Sequence, residues 1–397
     1  MFLKKILFFV CLSVTACNVI FGQRLDAALR KFYELAPVEN VYIQFDNNNY
    51  FTGQTIFYKA YLSSSGRLDS LSKNFYVDWY SDSGTFIAST VTPITYGFSI
   101  GSFDIPGTYA GTNIYAVGYT TWMRNFDPAF FFQKSLGVFS LPKKIAKRAP
   151  VQSENTVQFL PESGNALVNK ASVVAFKSVN WLGLPQSIDG EIKDKTGSVV
   201  TEFHSDHDGM GKFYYVPLPG ESYIAEWKDI EGKTQRATLP DAKEMGISLI
   251  IEPGIFDRKF HIQRTESIPQ EWKNIKIIAQ MNGLILYRAT AHPETTETIS
   301  GILPVGSFRP GILQVTLFDA NDKPLCERQI FINNSRSTIN GFMRVDTLNN
   351  QPGGHNSILF EVKDSVPASF SISVVSSPEN RPVKLELTTI EFVNFKF

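Results

Sequence analysis

The chain has 397 residues, of which 43% are hydrophobic, 19% charged and 13% aromatic. That is the composition of folded material, and at about 100 to 150 residues per domain it implies three or four domains rather than one core. Lys plus Arg and Asp plus Glu both total 38, so there is no whole-chain electrostatic case for binding nucleic acid or anionic lipid.

Residues 1–22 differ from the rest. Lys4 and Lys5 precede an apolar run from Ile6 through Phe21, the form of a secretory signal. Asn18 weakens the run, and only Arg24, without a basic cluster, follows Gly22-Gln23, which separates it from a lone membrane helix. Two cleavage modes compete. Val14-Thr15-Ala16-Cys17 has the spacing that would make Cys17 a lipidated first residue, whereas Ile20-Phe21-Gly22 before Gln23 suits ordinary cleavage. Cys11 and Cys17 both fall in the signal, so an exported chain without a lipidated Cys17 retains only Cys326 and must be stable through its cores.

From Leu25 to Leu35, apolar residues at Leu25, Ala28, Leu29, Phe32 and Leu35 share a helical face, and Pro37 stops the run. This predicts an N-terminal helix within 23–37, packed on the first domain. The period then changes to two: Val41, Ile43 and Phe45 alternate with Tyr42 and Gln44, and Phe75, Val77 and Trp79 with Tyr76 and Asp78. Turns such as Ser81-Asp82-Ser83-Gly84, Asp194-Lys195-Thr196-Gly197 and Asp319-Ala320-Asn321-Asp322 follow the same strand grammar at long intervals, and Asn282-Gly283 is a strong hairpin signal. Lys143 to Pro150 and Pro240 to Gly246 read as linkers. The expected organisation is therefore all-β tandem sandwiches over 38–142, 151–240 and 246–337. A last stretch, 338–397, has too few strands for a closed sandwich, which points to a fragment, a truncation or a partner that completes it.

The candidate chemistry is sparse. His204-Ser205-Asp206-His207-Asp208-Gly209 could offer imidazoles and carboxylates to a metal, but on an extended strand His204 and His207 face opposite ways, and Asp208-Gly209 reads as a turn. Glu154, Glu162, Asp189 and Glu191 could be paired as a glycosidase would pair them, but nothing signals a sugar cleft. Trp79, Trp122, Trp181, Trp227 and Trp272 read as core or interface anchors. Cys326, in the alternating Pro324 to Ile330 segment, reads as a small buried hydrophobe with no histidine nearby in sequence. No phosphate loop or dinucleotide fingerprint occurs.

The segment Val41-Tyr42-Ile43-Gln44-Phe45-Asp46, continuing through Tyr50, Gly53, Ile56 and Tyr58 to Leu62, resembles the opening strands of the second macroglobulin-like domain of the α2-macroglobulin superfamily. It departs from that pattern at Asn47, Asn48 and Thr52, where a basic residue and prolines are usual. Gly107-Thr108-Tyr109 and Ala116 through Phe126 are similar to the version found in large exported proteins of the Bacteroidetes. Val157 to Asn165 and His207 to Phe213 resemble their next repeat.

The resemblance implies immunoglobulin/fibronectin-like macroglobulin sandwiches, often linked to a TonB-dependent receptor plug domain. The Gly-Cys-Gly-Glu-Gln thioester string of trapping macroglobulins does not occur here. The reading is a non-enzymatic stalk or recognition module, exported to the periplasm or outer membrane, without cofactor. Its expected partner is an envelope protein such as an outer-membrane transporter, with membrane contact only through a lipid on Cys17 or through that partner. The candidate interaction loop is Trp122, Arg124, Asn125 and Phe126. The rival readings are a protease-binding protein lacking a thioester and a metal-dependent envelope enzyme.

Overall fold

The structure is a computed structural model. It describes residues 27–28, 30–64, 67–68, 71–139, 156–180, 183–229, 231–294, 296–334, 341–349, 351, 353–362 and 370–373. The signal expectation with Cys17, the Lys143 to Pro150 linker, Glu154 and Trp181 lie outside the described residues.

The first sandwich contains β1 (Glu39–Phe45), β2 (Asn49–Phe51), β3 (Thr55–Ser64), β4 (Arg67–Leu68), β5 (Asn74–Ser81), β6 (Phe86–Pro93), β7 (Phe98–Asp104), β8 (Asn113–Thr120) and β9 (Phe132–Phe139). One sheet holds β1, β3, β4 and β7, with β3 paired to both β1 and β7, and the other runs β2-β9-β8-β5-β6. The two-residue period puts Ile43, Phe45, Ile56, Tyr58, Phe75, Val77, Trp79, Ile114 and Leu136 into one core between the sheets. Trp79 stacks on Phe103 with centroids 4.4 Å apart, and its indole N–H donates to Thr90 Oγ1 at 3.2 Å. The large ring is thereby buried without stranding its polar atom.

The second sandwich has β10 (Thr156–Pro161), β11 (Ser172–Val179), β12 (Asp189–Lys193), β13 (Val199–His204), β14 (Met210–Tyr215), β15 (Ile224–Lys228) and β16 (Thr234–Thr238). Its sheets run β10-β11-β14 and β13-β12-β15-β16. Phe159, Phe176, Phe203 and Phe213 fill its centre, Phe176 and Phe203 meeting edge to face at 5.0 Å.

The third sandwich has β17 (Ile247–Ile251), β18 (Arg258–Arg264), β19 (Ile275–Met281), β20 (Leu284–Ala291), β21 (Thr298–Leu303), β22 (Gly311–Phe318) and β23 (Pro324–Ile332). Its sheets run β17-β18-β21 and β20-β19-β22-β23, over an aliphatic core that includes Leu249, Ile277, Leu313, Val315 and Leu317. Beyond it, β24 (Gly341–Thr347) and β25 (Ser357–Val362) pair as an antiparallel hairpin. The fold is all-β.

The same turn recurs at Ser81, Asn180, Asp194, Asp229 and Asp319. In each, the backbone of residue i pairs with that of residue i+4, as in Asp194 N to Ser198 O at 3.0 Å and Asp229 N to Lys233 O at 3.0 Å. Residue i+3 is left-handed: Gly84, Gly183, Gly197, Gly232 or Asp322. The side chain of residue i accepts the N–H of residue i+4, so Asp229 Oδ1 takes Lys233 N and Asp319 Oδ1 takes Lys323 N, each at 2.9 Å. This is a three-residue hairpin loop closed by an Asx-type cap.

Two expectations change. Residues 27, 28 and 30–35 are helical, but Phe32 and Leu35 are 56% and 68% exposed rather than packed on the first sandwich. Pro37 biases Ala36 toward extended backbone, and β1 starts only two residues later, leaving no loop to fold the helix back. The segment Pro240 to Gly246, read as a linker, is instead strapped to the second sandwich. Lys243 N donates to Ala166 O at 2.8 Å, Val168 N donates to Lys243 O at 3.0 Å, and Leu167 and Lys243 form a parallel bridge. Its polar composition hid main-chain pairing that any side chain permits.

Candidate functional site

The joint between the second and third sandwiches is built on a short 3-10 turn, Glu162–Gly164, that follows β10. Ser163 is held at φ 65° and Gly164 at φ 87°, a left-handed pair that sends the Ser163 hydroxyl to β17. There Ser163 Oγ donates to Leu249 O at 2.6 Å and accepts Leu249 N at 2.8 Å. Beside it, Arg328 of β23 donates to Glu162 Oε1 at 2.7 Å. Burial raises the Glu162 pKa, opposed by the positive charges of Arg328 and Lys212. At another point of the joint Lys170 pairs with Glu297, and Thr265 Oγ1 accepts the N–H of Gly246 at 3.0 Å. Cys326 of β23 is buried near Ser163, and burial pushes its thiol up to about 12, which disfavours the thiolate. Of these joint residues, the sequence marks Glu162 and Cys326 as candidate chemistry, Gly246 as the end of a linker and Ser163 as part of a repeat resemblance, and none as a contact between sandwiches. The left-handed Ser-Gly pair after a strand-ending proline is the one local signal.

The predicted interaction loop forms a 3-10 corner, Trp122–Asn125, after β8. Trp122 Nε1 donates to Pro37 O at 2.6 Å, its ring meets Phe126 edge to face at 6.0 Å, and Met123 is buried beneath. Buried Glu39 ties the same corner together: it accepts Ser72 Oγ at 2.9 Å and Ser72 N at 3.1 Å and is also bonded by Thr120 Oγ1, which in turn accepts Met123 N at 3.1 Å. Arg124 and Asn125 are exposed, and Asn125 Nδ2 donates to Trp122 O at 3.1 Å. The corner thus orders its own turn through Trp122 and presents Arg124 and Asn125 outward.

The remaining candidates are placed elsewhere. His204 Nε2 lies 3.3 Å from Asp206 and His207 Nε2 lies 3.2 Å from Asp208, each imidazole exposed beside its own neighbouring carboxylate. Asp208 and Gly209 are both left-handed and close a two-residue hairpin from His207 to Met210. Among the described residues no group of three or more His, Cys, Asp and Glu could hold a metal ion. Asp189 and Glu191 lie on β12, where Glu191 joins Lys193 at 3.1 Å in a surface network with Glu226. Trp79 and Trp227 are core residues, and Trp272 packs partly buried against the third core.

No protein-family model matches the chain, and no curated protein matches it. Among solved structures, Escherichia coli alpha-2-macroglobulin activated by porcine elastase aligns over 82% of this chain and 33% of its own, at 12% identity and a TM-score of 0.28. Salmonella alpha-2-macroglobulin reacted with methylamine aligns over 83% and 25%, at 10% identity and TM-score 0.23. The Clostridium thermocellum CbhA fibronectin(III)-like modules align over 50% and 91%, at 13% identity and TM-score 0.18. The chain therefore spans 25% to 33% of the length of these macroglobulins.

Proposed function

We propose that this chain is a non-enzymatic stalk and recognition module of an exported cell-envelope protein. In this reading its tandem sandwiches are macroglobulin-like and work beside outer-membrane TonB-dependent transport or surface assembly. The observation that carries the stalk is the Ser163 hydroxyl, which makes both a donor and an acceptor bond to Leu249 across the joint of two sandwiches. A flexible tether has no use for a left-handed serine bonded to a strand backbone. A spacer that must hold a binding surface at a set orientation does. The exposed Arg124 and Asn125 on the Trp122 corner supply a contact point on the first sandwich.

The test is capture of the full protein from crosslinked cell envelopes, with each co-purifying chain identified by mass spectrometry. Recovery with outer-membrane transport or surface-assembly proteins supports the reading. Recovery with proteases, together with discrete cleavage and compaction, replaces it with an inhibitory role, and recovery solely in the cytosolic fraction overturns it.

A further inference from the structure

The outer face of the β1-β3-β7 sheet is unusual for a solvated sheet face. Period two places Tyr42 and Gln44 of β1, Phe57, Lys59 and Tyr61 of β3, and Phe98 and Ile100 of β7 away from the core. The register aligns Tyr42, Tyr61 and Phe98 in one row and Gln44, Lys59 and Ile100 in the next. Tyr61 meets Phe98 edge to face at 5.5 Å, and the Lys59 ammonium lies 5.0 Å and 4.8 Å from the Tyr61 and Phe98 ring centroids. Phe57 and Ile100 are 57% and 71% exposed, yet Tyr61, in the row beyond Lys59 and Ile100, is only 6% exposed.

Residues Phe370–Ser373 lie on this face. Lys59 Nζ donates to Phe370 O at 2.9 Å, Tyr61 OH donates to Ser371 Oγ at 3.0 Å, and Ser373 Oγ donates to the Asp46 carbonyl. Ser371 and Ser373 are two apart, so an extended segment turns both hydroxyls to the same side. Phe370 instead meets Phe360 of β25 edge to face at 4.8 Å. The face offers a cation, a phenol donor and a main-chain acceptor, and the segment answers with a carbonyl and two hydroxyls.

We propose that the outer face of the β1-β3-β7 sheet is a docking surface for an extended Ser-x-Ser segment, and that its occupant is this chain's own Phe370–Ser373, bound in cis as a strap. Recognition is polar and positional: the lysine reads a backbone carbonyl, the tyrosine and the Asp46 carbonyl read hydroxyls at alternate residues, and the aromatic rows exclude water around them. The proposal is independent of the compartment and of the joint.

Two measurements on the full chain test it. In the Tyr61→Cys, Ser371→Cys double variant, with Cys11 and Cys17 replaced by alanine, a short bismaleimide should join the two thiols within one chain, giving a crosslinked species of monomer mass, while buried Cys326 stays unlabelled. A crosslink that joins two chains at every dilution would assign the face to a second copy and overturn occupancy in cis. Free labelling of both thiols without crosslinking would overturn the docking itself. In a background with Tyr61 intact, Ser371→Ala with Ser373→Ala removes two hydrogen bonds, so acylation of the Lys59 amine, read by mass spectrometry, should quicken about tenfold. An unchanged rate would contradict the strap.

Discussion

The Ser163 hydroxyl donates to the Leu249 carbonyl and accepts the Leu249 N–H, closing both polar groups of one β17 residue with a side chain that belongs to the preceding sandwich. Removing it leaves two main-chain groups unpaired, a cost of about 1–3 kcal/mol. Ser163→Ala should lower stability by roughly that amount. Ser163→Gly loses the same bonds but relieves the strain of a side chain at φ 65°, so it should melt above Ser163→Ala and below wild type in calorimetry.

Glu162 gives the joint a pH signature. Its folded pKa is raised, burial outweighing Arg328 and Lys212, so the native state binds its proton more tightly than the unfolded chain does. The sign follows: above the folded pKa this group opposes folding, and the penalty is relieved as pH falls through that value toward the unfolded one. Glu226 and Glu297, whose pKa values are lowered by hydrogen bonds from lysine, act the other way and lose stability on acidification. The melting difference between wild type and Glu162→Gln should therefore move in favour of wild type as pH falls from neutral. A difference that stays flat across that range would refute the assignment.

Each sandwich has its own core, so damage should stay local. Trp79→Ala empties the centre of the first core and should cost about 3–5 kcal/mol. Calorimetry should show the transition of that sandwich shifted down, with the transition of the second and third left in place.

Trp122 and Arg124 should separate stability from recognition. Trp122→Phe removes the bond to Pro37 O and should cost about 1 kcal/mol, with faster proteolysis around residues 30–38. Arg124→Glu changes one exposed side chain that takes no part in the hydrogen bonds of the corner described above and should leave the melting temperature unchanged while abolishing partner capture from envelopes. Retained capture would move the recognition site off this corner.

Local periodicity carried much of the fold. Phe75, Val77 and Trp79, alternating in the sequence, are all fully buried, and the Asp194 and Asp319 turns close as their residue types dictate. The Asp229 turn obeys the same rule, with Asp at its first position and Gly232 at its fourth. The joint was not legible, because Glu162 and Arg328 are 166 residues apart in the chain and Ser163 and Leu249 86 apart; nothing local to either partner encodes the other. The strap face had a signal: Phe57 and Tyr61 occupy strand positions whose pleat faces outward, where polar residues are expected. The missing prolines near Asp46 are offset by side chains instead, since Tyr50 OH donates to Asp46 Oδ1 at 2.6 Å and the same oxygen accepts Phe57 N at 2.9 Å.

The central claim, a joint that fixes the third sandwich on the second, is tested most directly by a spin-label distance distribution. Labels at Val199→Cys and Ile302→Cys, both exposed sites, in a background with Cys11, Cys17 and Cys326 replaced by alanine, should give one narrow distribution that broadens when Ser163→Ala and Arg328→Ala are added. A broad distribution in the labelled parent, or no change on cutting the joint, would show that the two sandwiches are merely tethered.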